Sequence, residues 1–164
     1  MNNQRPDLLP QQHTANVPQK GRLLGIDYGT VRVGISVCDE NQQLASPLHN
    51  YQRVSRQADQ QFFRKQVKEY KIAGFVVGLP LHMKGDESRI SSEARRYGQW
   101  LNSVTRLPVT FQDERLSSVQ ADVLLSATEL TKKQRKARID KLAAQILLQN
   151  WLDGRQRATA AGGE

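Results

Sequence analysis

The chain predicts an α/β domain: a mixed five-stranded sheet, an antiparallel meander followed by parallel strands, with helices on both faces. Three observations carry this. Three strand-like segments between residues 22 and 51 follow one another across short links, which makes a meander. The run Ile72-Ala73-Gly74-Phe75-Val76-Val77-Gly78-Leu79 is almost continuously apolar, as in a strand covered on both faces of a parallel sheet. Helical periodicities then fall between the later strands, and helix-linked strands pack their helices over the sheet.

Taken in order, residues 1–20 are rich in Gln, Asn and Pro without a periodic pattern, and read as a disordered leader to a domain over 21–153. A strand over 22–28 runs through Leu23-Leu24-Gly25-Ile26-Asp27, and Gly29 ends it. The segment 32–39 alternates apolar with small or polar residues, as a half-buried strand does. After a turn at 39–42, the third strand covers 44–51, and Pro47 assigns it an edge position. Phe62, Phe63, Val67 and Tyr70 set a helix over 58–70. The apolar strand 72–79 stops at Pro80, and 81–88 is a loop. A helix over 91–104 carries Ala94, Tyr97, Trp100, Leu101 and Val104 on one side, and a fifth strand covers 108–112. Ser117 or Ser118 caps a helix over 119–125. Residues 126–138 are polar and strongly basic, a helix follows over 139–152, and 154–164 reads as a flexible tail.

The composition narrows the function. A length of 164 residues fits one domain. No apolar run approaches the roughly 20 residues of a membrane span, and the N-terminus has no signal-peptide pattern. The single cysteine, Cys38, excludes an internal disulfide framework and a cysteine metal cluster. A cytoplasmic protein is expected. The net charge is +8 and the pI is near 9.9. Residues 1–20 carry a net +1 and residues 151–164 none, so the excess sits on the folded part and points to a polyanion such as nucleic acid.

Three places bring carboxylates to the ends of elements. Asp27 lies where the first strand turns back, beside apolar neighbours, and a buried carboxylate there needs a positive partner. A metal ion, Arg32 or a helix N-terminus supplies one; a turn Asp capping its own backbone is the plainer alternative. Asp113 and Glu114 directly follow the fifth strand. Asp140 sits roughly 80° from the centre of the face formed by Ile139, Leu142, Ala143, Ile146, Leu147 and Asn150, at 100° per residue. At that place it either faces the sheet or serves the helix dipole. Converging carboxylates repel one another, and Mg2+ or Mn2+ with oxygen ligands resolves the repulsion. Two such ions clamp the attacking and leaving oxygens of a phosphodiester. Lys132, Lys133, Arg135, Lys136 and Arg138 crowd seven residues just before Asp140, where a phosphate backbone would be held unless the run is only a solvated face. Lys84, after Gly78-Leu79-Pro80, is a weaker phosphate contact.

Four motifs together resemble one family. Gly25-Ile26-Asp27-Tyr28-Gly29-Thr30 with Arg32-Val33-Gly34 is similar to the first motif of the YqgF, or RuvX, family. Val76-Val77-Gly78-Leu79-Pro80 with Gly85 resembles the second, Asp113-Glu114-Arg115-Leu116-Ser117 the third, and Asp140-Lys141-Leu142-Ala143-Ala144 the fourth. They span about residues 22–152 in the family's order. The resemblance implies an RNase H-like fold, kinship with Holliday-junction resolvases, and a nuclease that matures the 5′ end of the small-subunit (16S) ribosomal RNA precursor. It implies Asp27, Glu114 and Asp140 as metal ligands, with Asp113 the alternative to Glu114 and Arg115 as a phosphate contact or an ion-pair partner. Many RNase H-like nucleases carry an acid at the end of the fourth strand; this chain has Gly78-Leu79-Pro80 there.

The implied partners are ribosomal precursor RNA, a branched DNA junction or the small-subunit precursor particle, with no membrane and with a monomer or homodimer as the assembly. Two other classes compete. Gly-Ile-Asp-x-Gly-Thr also resembles the first phosphate loop of actin-like ATPases and sugar kinases, which need two such domains where this chain supplies one. A nucleic-acid-binding module without cleavage carries the same charge; acids at all three places argue against it.

Overall fold

The computed structural model describes residues 17–80, 88–113 and 131–162; within the last segment, the side chains of 132, 133, 135–137, 139 and 140 are outside the description. Five strands form one sheet. They are β1 (Arg22–Asp27), β2 (Arg32–Cys38), β3 (Ala45–Gln52), β4 (Ile72–Leu79) and β5 (Val109–Asp113), in the spatial order β3-β2-β1-β4-β5. The first three pair antiparallel, and β4 and β5 run parallel to β1. The strand order puts β3 at an edge, as Pro47 requires. Its register slips by one residue beside Pro47, because proline has no N–H to give the ladder.

Helices α1 (Arg56–Tyr70) and α2 (Arg89–Thr105) cover one face, and α3 (Lys132–Ala161) covers the other. Alternation along the strands sorts the core into two layers. Leu24, Ile26, Val33, Ile35, Phe75 and Val77 pack toward α1 and α2, around the buried Phe63. Leu23, Val76, Cys38 and Ala45 pack toward Leu147, Leu148 and Leu152 of α3. The central position of β1 explains its apolar run: it is covered on both faces. Ser55 and Ser88 cap α1 and α2 by accepting the N–H of Ala58 and Ser91, both at 3.1 Å.

Two regions depart from the sequence reading. The last helix begins at Lys132 and ends at Ala161, not 139–152, so the basic residues 132–138 and most of the expected tail are helical. Neither extension has an apolar stripe. A capping box holds the start: Thr131 accepts the Gln134 N–H, and Gln134 returns an oxygen to the Thr131 N–H, both at 3.2 Å. Bonds to other segments hold the end. Arg155 donates to the carbonyls of Val17 (2.7 Å) and Pro18 (2.9 Å), and Gln156 to that of Gln42 (3.2 Å). The second departure follows from these bonds: Val17 is buried in the α3 layer, so the stretch before β1 joins the fold earlier than residue 21. The expected helix over 119–125 and residues 1–16 lie outside the described residues.

Candidate active site

Asp27 ends β1, half-buried, at the edge of the sheet where β4 and β5 also end. Its face follows from its neighbour two residues back. Gly25 faces α3 so closely that a Cβ there would lie 2.8 Å from the Leu148 Cβ and 3.0 Å from the Ala144 carbonyl oxygen. Asp27 therefore shares the α3 face with Gly25. The facing residue on β2, Ser36, is fully buried, and its hydroxyl donates to the Ala144 carbonyl at 2.6 Å. These contacts fix the height of α3 over β1.

The helix runs antiparallel to β1, since its Arg155 end reaches Val17 and Pro18 while Ala144 lies over Gly25. Two residues along the strand from Gly25 to Asp27 cover about 6.7 Å. One helical turn back from Ala144 to Asp140 covers about 6 Å. The backbone position of Asp140 thus advances along the sheet in step with Asp27. The buried row on α3 is Ala143, Ala144, Leu147, Leu148 and Leu152. Position 140 lies roughly 30° from its centre at 100° per residue. The sequence pattern puts it about 80° off, at the margin, because it counts the half-buried Leu142 and Ile146 and the exposed Asn150 into the face and leaves out Leu148 and Leu152.

Along the same edge, Asp113 pairs with Leu79, while Phe111, two residues earlier, packs against Gly98 of α2. Asp113 therefore shares the α1/α2 face, opposite to Asp27. Two strand spacings, about 10 Å, separate that end of β5 from β1. The structure does not bring Asp113 to the face of Asp27. Glu114, Arg115 and Lys84 lie outside the described residues, as do the side chains of Lys132, Lys133, Arg135, Lys136 and Asp140. Arg32 opens β2, half-buried, and Arg138 is exposed on α3. Among the described residues, no group of three His, Cys, Asp or Glu side chains is placed to hold a metal ion. No described helix is long and apolar enough to cross a membrane.

On the opposite face, beside the same sheet edge, lies a cavity of about 570 Å³ that the sequence reading did not single out. Tyr28, the residue after Asp27, forms one wall with Arg53, Tyr97 and Trp100. Arg53 is set over the rings of Tyr28 and Tyr97, at 5.5 and 5.3 Å, and is 3.9 Å from the buried Asp59. These residues come from the end of β1, the β3–α1 link and α2, and each looks ordinary in its own segment. The one local signal is Arg96 placed four residues before Trp100 on α2.

The RuvX family model, described as a Holliday junction resolvase, matches residues 21–154. A protein of Rhodopirellula baltica named "Putative pre-16S rRNA nuclease" is 42% identical over 146 residues, which cover 88% of this chain and 84% of the relative. One of the same name from Lactococcus lactis subsp. cremoris is 43% identical over 134 residues, 80% of this chain and 94% of the relative. Among solved structures, Thermus thermophilus RuvC in complex with a Holliday junction substrate aligns with a TM-score of 0.51 at 16% identity, covering 83% of this chain and 96% of that one. That likeness is one of fold, RNase H-like. The motifs, the strand order and the match over nearly the whole domain converge: this chain belongs to the RuvX family.

Proposed function

We propose that this protein is a divalent-metal-dependent endonuclease that hydrolyses phosphodiester bonds, acting in the cytoplasm on the 5′ end of the 16S ribosomal RNA precursor. The observation that supports the proposal is the close packing of α3 on β1, from which we infer a shared height for the backbones of Asp27 and Asp140. Asp27 ends the central strand on the α3 face, and the Gly25–Ser36–Ala144 contact sets the Asp140 turn of α3 beside it. The relatives' names supply the substrate.

The site fits Mg2+ or Mn2+ by the chemistry of its donors. Asp27, Glu114 and Asp140 offer only carboxylate oxygens, which suit hard cations. Between Asp113 and Glu114 we take Glu114 as the ligand: Asp113, the last residue of β5, falls on the α1/α2 face, away from Asp27. A bound ion supplies an activated water and charge for the leaving oxygen. The chain's own part is to hold its carboxylates at fixed height on the sheet and helix, and to hold the phosphate backbone through Lys132, Lys133, Arg135, Lys136 and Arg138, with Arg32, Lys84 and Arg115 as further contacts.

The test pairs gel-shift affinity with Mg2+-dependent cleavage for wild type and Asp27→Asn, on a ribosomal precursor fragment and on a four-way DNA junction. Asn keeps the size and one acceptor oxygen but loses the charge that holds the metal. Cleavage should fall by at least about 10²-fold while affinity stays within about twofold. Cleavage by Asp27→Asn at the wild-type rate overturns the metal-site reading. The family description and the RuvC likeness favour the junction as the second substrate, and preferential junction cleavage would replace the RNA reading with it.

A further inference from the structure

We infer that the cavity beneath Tyr28 is a nucleotide subsite that takes one unstacked base of the substrate strand next to the position of cleavage. This deepens the nuclease reading and rests on it for the identity of the strand. The cavity's volume of about 570 Å³ lies within the roughly 300–1,000 Å³ of small-ligand sites. Its walls combine the two groups that single-stranded nucleic acid needs: aromatic faces for the base and cations for the phosphate. Tyr28, Tyr97 and Trp100 are the aromatics, with ring centroids 5.1 Å apart for Tyr28–Tyr97 and 5.2 Å for Tyr97–Trp100.

The cations divide by role. Arg53 is already engaged: it donates to the Tyr28 hydroxyl and to the carbonyls of Gly29 and Thr30 (3.3–3.4 Å), and it faces Asp59. It braces the wall. Arg56 and Arg96 line the rim, are exposed, and form no ion pair with any described residue. The two acids present are both occupied. Asp59 accepts from the Tyr51 hydroxyl (2.7 Å) and the Val54 N–H (3.0 Å). Glu93 accepts from the Tyr28 hydroxyl (3.2 Å) and pairs with Arg89 (3.4 Å). The charge left at the mouth is positive.

A separate observation points to a ligand. Tyr97 is 94% buried, yet its hydroxyl has no hydrogen-bond partner among the described residues. It is near enough to Arg53 and Asp59 to feel both charges. A buried hydroxyl left unpaired is costly; it is closed off from the empty cavity, and a small outward shift of the Tyr28–Tyr97 wall on binding would open it to a base edge or sugar hydroxyl that pairs it. Position supplies the link to cleavage. Asp27 and Tyr28 are consecutive residues on opposite faces of the sheet edge. A strand crossing that edge with a phosphate at Asp27 has its next base or two at the cavity mouth. The subsite therefore demands unpaired nucleotides beside the scissile bond, at the end of a helix or at a branch.

The experiment reads Trp100 fluorescence in the full-length protein with Trp151→Phe, which leaves Trp100 as the single indole. All titrations are in EDTA, so binding is read without cleavage. The probes are a single-stranded pentauridylate, its abasic sugar–phosphate counterpart, and uridine monophosphate. Pentauridylate should quench Trp100 saturably; the abasic strand should not quench; the mononucleotide should bind at least tenfold more weakly than the strand. Arg96→Ala should weaken quenching about tenfold without lowering the melting temperature. Tyr97→Phe keeps the ring and removes the orphan hydroxyl, so it should raise the melting temperature and lower affinity together, a pairing that a merely structural tyrosine does not produce. Equal binding of strand and mononucleotide, quenching by the abasic strand, or an Arg96→Ala variant with wild-type affinity overturns the subsite. Quenching without any Mg2+-dependent cleavage sinks the nuclease reading and leaves the subsite standing; cleavage without quenching does the reverse.

Discussion

Replacing Gly25 by Ala adds one methyl group at the tightest point between sheet and helix. That methyl would meet the Ser36 Oγ, the Leu148 Cβ at 2.8 Å and the Ala144 carbonyl oxygen at 3.0 Å. None of the three is the loose end of a flexible side chain. Ser36 is pinned by its bond to the same carbonyl, and the other two belong to the body of α3. The helix must therefore lift by several tenths of an ångström. Overpacking of this kind costs about 1–3 kcal/mol, and loss of the Ser36–Ala144 hydrogen bond adds about 1 kcal/mol. A total of about 2–4 kcal/mol corresponds to a fall in Tm of roughly 5–15 °C for a domain of this size. Because α3 also carries Asp140, a lift approaching 1 Å should cost cleavage as much as about 10²-fold in the molecules that remain folded. The assay is urea unfolding together with Mg2+-dependent cleavage at a temperature where the variant is fully native. Gly154→Ala is the control. A Cβ there has nothing within 4 Å, and alanine in a helix interior should be neutral or stabilising by up to about 1 kcal/mol. If Gly25→Ala unfolds within about 0.5 kcal/mol of wild type and cleaves normally, the close approach of α3 does not govern the site.

Two further outcomes follow from other parts of the chain. Asp39 accepts the N–H groups of Leu44 and Gln43 (both 2.8 Å) and of Asn41 (3.2 Å), and these bonds, Leu44's foremost, hold its carboxyl below the usual range. With its folded-state pKa below the unfolded one, Asp39 contributes stability that is fully present above the ordinary carboxylate range and is lost as pH falls through the lowered folded-state value, so wild type should lose more stability than Asp39→Asn between pH 6 and pH 2; parallel urea midpoints across that range would refute this. Changing Lys132, Lys133 and Lys136 to Glu places acids at the start of α3, where the dipole welcomes them, so folding should persist. Affinity for single-stranded RNA should fall and its log–log salt slope should shrink by roughly 0.7–0.9 per lost phosphate contact; an unchanged slope would make the run a solvated face.

What the sequence discloses depends on where the determining contacts lie. The strand 72–79 is legible to the residue because both its faces are buried and its apolar run has no gaps. The ends of α3 are not, because nothing apolar marks them: one is held by a capping box and the other by Arg155 reaching carbonyls more than 130 positions away. The threonine and glutamine of that capping box are a local signal, but the lysines between them read as phosphate contacts in a basic run rather than as the first turn of a helix. Asp27 is legible as a strand-end acid. The choice between Asp113 and Glu114 is not, since it depends on which face Phe111 turns to α2, a matter of register between β4 and β5. The cavity under Tyr28 is the extreme case, built from three segments whose residues meet only after folding.

The helix that carries the proposed ligand Asp140 is also made after all five strands. Synthesis runs from the N-terminus, and domains begin to fold as they emerge. Until α3 is available, the side of the sheet that carries Leu23, Val76, Cys38 and Ala45 lacks the one helix that covers it among the described residues. The contact that closes it, Ser36 to Ala144, spans 108 positions. A chain still attached to the ribosome by residues near 132 therefore holds Asp27 without the turn that carries Asp140. On the proposed activity, such a chain is catalytically silent toward the ribosomal RNA within its reach. On that reading, competence to cut arrives in one late step, the docking of a single helix, and the order of translation itself serves as the safety catch.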